Sequence, residues 1–402
     1  MNYQNEKDIY DFIIVGAGPA GLTAGILAAR NGHSVIILEK GDKAGPKPRG
    51  EGMGYFPVVD EILGDKFLPS IGIKSNGERV WHSPNDEQSL TTFKDYPHYF
   101  FEWREFIDRF VEVANQEGVQ MKFNCEVMDS LEKDGICIGV NYKENGNITK
   151  TLGKVVLDCS GYEGVIGNKY GVPYDLMRCP IVKCLISNAN YTLENTPGLN
   201  FYFIGSGDLE YSPQFPPAVA YFFPLDGNRA EVGLMLRMAQ VPNMKSVEVP
   251  DDSQIIEVWS QIKSSYPGFS EFFKGANIDY EEVTNLPNAK MAEKFVPYPG
   301  VVIVGDSAGF VNPFGSSGLY YSMKMAKFWV NMLSEELENK KIWSTSKIDD
   351  YHAQFEASEV YQEVKGMYNL IGAFEYKIFN RLRTSKKINS KWSYISSLLK
   401  QA

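Results

Sequence analysis

The first 40 residues alternate short apolar runs with a glycine-rich turn. Residues 10–15 (YDFIIV) are rich in β-branched and aromatic side chains, a pattern typical of a buried parallel strand. An alanine-rich helix is predicted over residues 22–31, ended by Gly32, and a second buried strand (SVIIL) over residues 34–38. These segments together predict one βαβ unit.

The rest of the pattern predicts a mixed α/β chain. Period-two alternation over residues 180–240, interrupted at the turn Asp226-Gly227-Asn228, predicts an antiparallel sheet. A hairpin turn is predicted at Glu144-Asn145-Gly146-Asn147. Further strands are predicted at 119–123, 126–131, 136–142, 149–152, 154–158 and 300–304, helices at 104–117, 253–266, 319–337 and most of 347–400, and a loop at 41–57, where glycine, proline and charged residues are concentrated.

Composition places the chain among ordinary globular proteins. Its 402 residues are 44% hydrophobic and 22% charged, and this length suggests two or three domains. The aromatic share of 13% is high, which fits either a cavity with flat apolar walls or an aromatic-rich core. A net charge of −10 argues against nucleic-acid binding.

The charge is unevenly distributed. Residues 376–402 contain seven Lys and Arg residues and no Asp or Glu, with Phe379, Trp392 and Tyr394 among them. Such a basic, aromatic segment could make peripheral contact with an anionic membrane surface. It is equally the pattern of a solvated terminal helix, and the sequence leaves both interpretations open.

Cysteine and histidine usage bears on compartment and on metals. The five cysteines form no CxxC pair, which fits reduced thiols in the cytoplasm, and the four histidines have no metal-ligand spacing. We therefore predict no metal site. Neither a signal peptide nor an apolar run of about 18 residues is visible, so the sequence predicts a cytoplasmic protein, either free or membrane-associated.

The turn after the first strand is a phosphate-binding glycine loop, Gly16-Ala17-Gly18-Pro19-Ala20-Gly21. The first glycine makes the tight turn, the second leaves room for a pyrophosphate, and the third allows close packing of helix on sheet. The helix N-terminus then faces the phosphates. Glu39, at the end of the second strand, is placed to bind ribose hydroxyls, and Lys40 follows it in the predicted site. These features predict a bound dinucleotide.

A second motif identifies this dinucleotide as FAD. Gly305-Asp306-Ser307-Ala308-Gly309 follows a buried strand and resembles the second flavin motif of the p-hydroxybenzoate-hydroxylase-like superfamily. The resemblance implies that Asp306 binds a ribityl hydroxyl and that the segment Pro313-Phe314-Gly315-Ser316-Ser317-Gly318-Leu319 passes under the flavin. The N–H groups of Gly318 and Leu319 would then stabilise the charge of reduced flavin.

The same resemblance assigns further cofactor contacts. Arg104 would reach the FAD phosphates, Val127 would border the adenine, and Arg49 and Gly50 would lie in the loop that covers the flavin. Gly161 ends the stretch Leu157-Asp158-Cys159-Ser160-Gly161, which resembles the superfamily's Asp-Gly motif in an Asp-x-x-Gly form. Because Ser160 replaces the Asp that commonly precedes the glycine, we expect this stretch to be mainly structural.

Within the superfamily, the chain resembles the geranylgeranyl reductase family. The resemblance lies in GDSAGFVNPFGSSGLYYSM (305–323), YFFPLDGNRAEVGL (221–234) and, more weakly, VWHSP (80–84). Tyr221 stands where Trp is usual and should face the substrate. The Cys that many of these reductases carry in the loop after Glu39 is absent, so no mechanism through that thiol is carried over.

This resemblance implies an α/β fold with a Rossmann-like FAD-binding domain (GR2 type), an antiparallel-sheet substrate domain and a helical C-terminus. The FAD-binding domain is expected over residues 1–75, 100–180 and 285–335, the substrate domain over 76–99 and 181–284, and the helical region over 336–402.

The implied activity is reduction of a C=C bond in a prenyl or other hydrophobic substrate. Hydride would come from reduced flavin and a proton from Tyr221 or Glu51. No second strand–GxGxxG–helix unit follows, so the electron donor would be transiently bound NAD(P)H or a small redox protein. One alternative is a flavin monooxygenase or halogenase, because residues 158–164 also resemble tryptophan halogenases, although a Trp-x-Trp-x-Ile-Pro motif is lacking. Another is a non-enzymatic flavin-binding module.

Overall fold

The computed structural model describes residues 9–206, 215–236, 250–315, 317–375, 378 and 381–400. Within these residues the strands form two seven-stranded sheets and one three-stranded sheet. The strands are β1 (Ile9–Val15), β2 (Val35–Leu38), β3 (Gly50–Gly54), β4 (Ile73–Ser75), β5 (Glu78–His82), β6 (Ser89–Phe93), β7 (His98–Glu102), β8 (Gln120–Lys122), β9 (Cys125–Lys133), β10 (Ile136–Glu144), β11 (Asn147–Asp158), β12 (Cys179–Ser187), β13 (Leu199–Ile204), β14 (Ala218–Leu225), β15 (Arg229–Leu236), β16 (Asn277–Leu286) and β17 (Val301–Ile303).

Helices connect several of the strands and form the C-terminal part of the described chain. They are α1 (Pro19–Arg30), α2 (Pro57–Leu63), α3 (Phe67–Ile71), α4 (Trp103–Gln116), α5 (Tyr174–Met177), α6 (Asp252–Ser265), α7 (Leu319–Glu336), α8 (Thr345–Ala357), α9 (Glu359–Glu375), α10 (Ser385–Ser390) and α11 (Trp392–Leu399). No helix in the described part of the chain is long and apolar enough to cross a membrane.

The first seven-stranded sheet has the order β8-β2-β1-β11-β10-β9, with β17 also paired to β11. β1 pairs in parallel with both β2 and β11, so Ile14 lies opposite Ile37 on one side and Leu157 on the other. Helix α1 packs on this sheet and contacts α4 and α7. Because helices cover the sheet, its central strands are buried on both faces, which explains why they are apolar runs without alternation.

Two predicted strands, 149–152 and 154–158, are one continuous strand, β11. Gly153 at their junction suggested a break. In the structure, a Cβ at Gly153 would lie 2.7 Å from Cγ1 of Ile13, so the glycine makes room for a side chain of β1. The predicted hairpin turn before this strand is confirmed: Glu144 pairs with Asn147, and Asn145 and Gly146 have φ of 49° and 83°, as a two-residue type I′ turn requires.

The second seven-stranded sheet has the order β16-β12-β15-β14-β13-β5-β6. Its neighbouring strands are antiparallel, as predicted from the alternation, except that β5 and β13 run in parallel. One face packs against α6 through Ile255, Val258 and Trp259. The other face carries aromatic and aliphatic side chains that point towards the first sheet.

The prediction of a loop over 41–57 is wrong for part of that segment. Residues Gly50–Gly54 form β3, which pairs with β7 in the three-stranded sheet β3-β7-β4. Its three glycines accommodate bulky neighbours: a Cβ at Gly52 would lie 2.8 Å from the Phe100 ring, and one at Gly54 would lie 2.5 Å from the Tyr96 ring. Glycine content, which normally indicates a loop, here reflects close packing of aromatic rings on a strand.

The predicted C-terminal helices are present in the described residues. Ile388, Trp392 and Ile395 of α10 and α11 are buried against the second sheet, where Trp392 packs edge-on to Phe203 with ring centroids 5.7 Å apart. Trp392 is therefore part of the core. Phe379, another aromatic of the basic tail, lies outside the described residues.

Candidate active site

The glycine loop after β1 has the geometry of a dinucleotide site. Gly16 has φ of +99°, and a Cβ there would lie 2.6 Å from the carbonyl oxygen of Cys159. A Cβ at Gly21 would lie 2.1 Å from the Gly16 carbonyl oxygen, so the first turn of α1 is packed directly on the loop. By contrast, nothing lies within 4 Å of the Cβ position at Gly18. This open space is at the N-terminus of α1, whose first turn contains no acidic residue, and it suits a phosphate group.

Glu39 holds the glycine loop in place. Its Oε2 accepts a hydrogen bond from the Ala17 N–H at 2.7 Å, and its Oε1 accepts one from the Gly41 N–H, also at 2.7 Å. The carboxylate oxygens keep further lone pairs for the ribose hydroxyls that the sequence analysis assigned to them. The neighbouring Lys40 forms an ion pair with Glu163. Glu39, Lys40, Gly161, Glu163 and Val127 all line one cavity.

Asp158 has the structural role predicted for it. The side chain is fully buried. One carboxylate oxygen accepts hydrogen bonds from the N–H and hydroxyl of Ser160, and the other accepts them from the N–H groups of Ile166 and Gly167. These bonds shape the turn that presents Ser160 and Gly161 to the cavity.

Asp306 and the start of α7 form the next part of the cavity wall. A Cβ at Gly318 would lie 2.7 Å from Oδ1 of Asp306, so only glycine fits between this carboxylate and the helix N-terminus. Burial raises the pKa of Asp306, with Arg49 and Lys183 opposing the shift. Gly315, Gly318 and Leu319 also line the cavity, whereas Gly305 and Pro313 are not among its lining residues.

The two arginines assigned to the cofactor differ in position. Arg49 lines the cavity, stacks on Trp103 with 3.8 Å between Cζ and the ring centroid, and leaves its buried Nε without a hydrogen-bond partner in the described structure. Arg104 is not among the lining residues. It donates to the Ala44 carbonyl at 2.9 Å and pairs with Asp108, which ties α4 to the loop before β3.

The opposite wall of the cavity is the inner face of the second sheet. Tyr221 lies at the centre of this face, across from Phe201 on β13 and Gly233 on β15. A Cβ at Gly233 would lie 2.5 Å from the Tyr221 ring, so Gly233 provides the space that the ring occupies. The apolar residues of this wall are Ile181, Leu199, Phe201, Phe223, Met235, Leu286 and, from β7, Phe100.

Two charged residues on this apolar wall were not predicted as site residues. Glu231 on β15 is almost fully buried, with 1% of its surface exposed, and Lys183 on β12 also lines the cavity. Oε1 of Glu231 accepts a hydrogen bond from the Tyr221 hydroxyl at 3.2 Å, and Oε2 accepts one from the Gly50 N–H at 3.0 Å. Each is a single charged residue inside an otherwise apolar stretch of its strand (Lys183 in CPIVKCLIS, and Glu231 in RAEVGLML after the terminal Arg229), and this is the sequence signal that could have identified them.

Burial sets the protonation of these groups. Burial raises the pKa of Glu231 to about 7, with Lys183 and the Gly50 N–H opposing the shift. Burial also raises the pKa of Tyr221, and the Glu231 carboxyl adds to that shift. The pKa of Lys183 is lowered by burial and by Arg49. Glu51, the second proton donor suggested by the sequence, lines the cavity 3.7 Å from Arg49.

These walls enclose a cavity of about 480 Å³ that runs from the glycine loop to Tyr221. This volume is within the range of cofactor and ligand pockets. The residues present fit FAD. Gly18 leaves room near a helix N-terminus for phosphate, Glu39 ends the second strand of a βαβ unit, and Asp306 presents a half-buried carboxylate with no hydrogen-bond donor from the described part of the chain.

Comparisons with known proteins agree with this geometry. The family model described as FAD dependent oxidoreductase matches residues 11–179. A digeranylgeranylglycerophospholipid reductase of Picrophilus torridus is 23% identical over 349 residues, covering 85% of this chain and 82% of the relative. A protein of the same name from Methanopyrus kandleri is 23% identical and covers 95% of this chain and 99% of its own length.

Solved structures share the fold. A geranylgeranyl bacteriochlorophyll reductase-like protein from Thermoplasma acidophilum superposes with a TM-score of 0.72 at 16% identity, covering 98% of this chain and 99% of that one. The myxobacterial chondrochloren halogenase has a TM-score of 0.70 at 18% identity, covering 98% and 90%. The resemblance drawn from the two flavin motifs is confirmed, and the predicted fold class with it.

Proposed function

We propose that the chain is an FAD-dependent oxidoreductase of the geranylgeranyl reductase family and that it reduces C=C bonds of a prenyl or similar hydrophobic chain. The observation that carries the proposal is the Tyr221–Glu231 pair, a proton source on a mainly apolar wall that faces the Asp306–Gly318 turn across the cavity. An isolated alkene offers no polar handle, so it needs apolar walls to position it and a donor fixed beside it.

In the proposed reaction, bound reduced FAD supplies a hydride to one alkene carbon. The Tyr221 hydroxyl protonates the other carbon, and the C=C bond becomes a C–C single bond carrying the two new hydrogens. Protonated Glu231 returns a proton to Tyr221 through the hydrogen bond between them, and the buried side chains keep water from that bond. Asp306, Gly318 and Leu319 would hold the flavin, and the backbone N–H groups at the start of α7 would stabilise negative charge on it.

The cofactor contacts follow the same proposal. Gly16, Gly18, Pro19, Ala20 and Gly21 hold the pyrophosphate at the N-terminus of α1. Glu39 and Val127, beside the Lys40–Glu163 ion pair, would hold the adenosine, and Arg49 and Gly50 would cover the flavin. The electron donor is NAD(P)H bound transiently at the flavin or a small redox protein, because the chain has one dinucleotide-binding glycine loop and FAD takes it. Anaerobic titration of the oxidised holoenzyme with NADPH, NADH and reduced ferredoxin distinguishes the donors.

A reduced-enzyme experiment tests the activity. Holoenzyme reduced with dithionite under anaerobic conditions is mixed with geranylgeraniol or geranylgeranyl phosphate, and we expect the flavin to reoxidise with formation of a product two mass units heavier. Tyr221→Phe should slow this reoxidation by a factor of about 10² to 10⁴. Tyr202→Phe, which removes a hydroxyl on the opposite face of the same sheet, is the matched control and should react at the wild-type rate.

Two outcomes would contradict the proposal. Reoxidation by none of the prenyl chains tested would exclude the reductase activity. Oxygen consumption that depends on an aromatic substrate would instead support the monooxygenase or halogenase alternative.

We also propose that the basic C-terminal segment makes peripheral contact with membranes that contain such substrates. Lys386, Lys387 and Lys391 are exposed on α10 and at the start of α11, while Trp392 is buried. The contact would therefore be electrostatic rather than an insertion of aromatic side chains. Cosedimentation with phosphatidylserine vesicles should fall when the three lysines are changed to Gln, and equal binding of the variant and the wild type would exclude this contact.

A further inference from the structure

Arg79 lies on β5 at the edge of the same cavity. It is cross-strand neighbour to Leu199 of β13 and to Thr92 of β6, and its guanidinium reaches inwards among Tyr96, Tyr321 and His98. Burial lowers its pKa, and the neighbouring tyrosines only partly compensate. An arginine nevertheless stays charged at any physiological pH. The cavity therefore contains a fixed positive charge in partly desolvated surroundings.

This charge has no carboxylate partner among the described residues. No ion pair joins Arg79 to any Asp or Glu there, although the other half-buried arginines, such as Arg49 and Arg229, each have one. Two acids in the surrounding segments have other partners. Glu363 is exposed and accepts a hydrogen bond from the Tyr321 hydroxyl at 2.7 Å, and Asp95 interacts with Lys94.

The other groups around Arg79 add positive charge or are neutral. Lys94 has its pKa lowered by burial and by Arg79, and the pKa of His98 is lowered to about 3 by burial and by Arg79, so this histidine is uncharged. Tyr96 offers a hydroxyl group whose pKa is raised by burial, whereas the Tyr321 hydroxyl already donates to Glu363. Such a set of donors without a local counter-ion is expected where a bound ligand supplies the negative charge.

We propose that Arg79 binds the acidic end of an amphiphilic substrate, a carboxylate or a phosphate, while the apolar part of that substrate lies along the second sheet towards Tyr221. The strand of Arg79 is two strands away from that of Tyr221 in the order β14-β13-β5. This spacing corresponds to roughly 10 Å between the two backbones. In the substrate, a stretch of apolar chain would thus separate the acidic group from the double bond that is reduced. A short acid could not reach both Arg79 and Tyr221.

An anion site at Arg79 also explains why aromatic rings are packed around its guanidinium. Phe56 stacks on Tyr320 with ring centroids 3.9 Å apart and contacts Tyr96, so the aromatic rings form a rigid frame around the guanidinium. A rigid frame with hydroxyl donors is suited to an anion whose other oxygens need hydrogen bonds. The inference rests on the proposed function for the prenyl chain, but the binding step can be measured without turnover.

Equilibrium binding to the oxidised holoenzyme tests the anchor. Three probes share one C20 chain: geranylgeranyl phosphate, geranylgeranoic acid and geranylgeraniol, and the methyl ester of the acid is an uncharged match for it. Binding is measured by the quenching of tryptophan fluorescence. We expect wild-type protein to bind both anions at least tenfold more tightly than the alcohol and the ester. The phosphate and the acid are separate arms, and the tighter of the two identifies the headgroup.

Variants locate the effect. Arg79→Gln should abolish the preference for anions while leaving the Kd of the alcohol unchanged, and Arg79→Lys should keep part of it. Arg109→Gln, an arginine outside the cavity, is the matched control and should keep the full preference. Equal affinities for acid and ester in wild-type protein would overturn the proposal even if Arg79→Gln did not fold, and so would an equal loss of acid and alcohol binding in a folded variant. If the preference is present but no chain reoxidises the reduced flavin, the anchor stands and the reductase activity fails.

Discussion

At the residue scale, Glu231 illustrates how a strand position becomes a proton source. The side chain is surrounded by the apolar face of the second sheet, and its only hydrogen bonds within the described structure are to the Tyr221 hydroxyl and the Gly50 N–H. In water its carboxyl would be ionised near pH 7, but burial disfavours the charged form. The neutral carboxyl is therefore available at the pH at which Tyr221 needs a proton.

The pKa of Glu231 predicts a pH dependence of the reaction. Its carboxyl pKa is raised to about 7, so the protonated form, which returns a proton to Tyr221, is present below pH 7 and is lost above it. Single-turnover flavin reoxidation, measured from pH 5 to 9, should fall about tenfold per unit above pH 7. In Glu231→Gln this inflection should vanish and the rate should be low throughout. An unchanged inflection in the variant would assign the titration to another group.

The same shift has a consequence for stability. Because the folded protein holds the Glu231 proton up to about pH 7 and the unfolded chain releases it near its model value of 4.5, the folded state binds more protons between these values. The free energy of unfolding should therefore decrease as pH rises from 4.5 to 7. Glu231→Gln should flatten this part of the profile in urea unfolding at several pH values, whereas Glu257→Gln on α6 should leave it as in the wild type.

At the element scale, β3 shows a limit of pattern-based prediction. Its sequence, Gly-Glu-Gly-Met-Gly, has the composition of a loop, yet it pairs along its full length with β7. The strand is stable because aromatic rings from neighbouring segments fill the space above its glycines. That filling depends on Phe100 and Tyr96, which lie more than 40 residues away in the chain. Strands and helices whose signal is local, such as β1, α1, α4 and α7, were predicted within a few residues of their observed bounds.

This packing predicts that Gly54→Ala is destabilising. The new methyl group would lie 2.5 Å from the Tyr96 ring and 2.8 Å from the Phe56 ring, so the rings must move, at a cost of about 1–3 kcal/mol. Gly366→Ala is the matched control, because this exposed position on α9 has nothing within 4 Å of the Cβ and alanine favours the helix. Thermal melts followed by circular dichroism should show a lower Tm for the first variant and an unchanged or higher one for the second. Equal Tm values would contradict the packing argument.

At the scale of the whole molecule, the cavity is a product of two sheets. The FAD-type sheet contributes the glycine loop and the Asp306 turn, and the second sheet contributes Tyr221, Glu231 and the apolar wall. Helices α10 and α11 pack on the second sheet through Ile388, Trp392 and Ile395. The C-terminal segment thus supports the wall on which the substrate is proposed to lie, in addition to presenting basic side chains to solvent.

Removing this support should destabilise the protein. Trp392 is 4% exposed, and Trp392→Ala should lower the free energy of unfolding by about 3–5 kcal/mol because it leaves a cavity beside Phe203. Tyr394→Ala on the same helix is the control, since Tyr394 is 47% exposed and should change stability little. Both variants are compared by chemical denaturation of the holoenzyme. A Trp392→Ala variant as stable as Tyr394→Ala would show that α11 does not belong to the core.

The sequence by itself determined the features that depend on neighbouring residues. Strand and helix periodicity, the Gly16–Gly21 turn between strand and helix, and the Asp306 turn are each set within about 20 residues, because steric freedom and hydrogen bonding act locally. The flavin cofactor and the fold class followed from them. Only the tertiary structure decided the pairing of Tyr221 with Glu231, the position of Arg79 in the cavity without an ion-pair partner among the described residues, and the strand β3. The contacts of Glu231 with Gly50 and of Arg79 with Tyr321 depend on packing between segments that are distant in the chain. Burial then shifts the pKa values of Glu231 and Arg79, and no local sequence pattern encodes that burial.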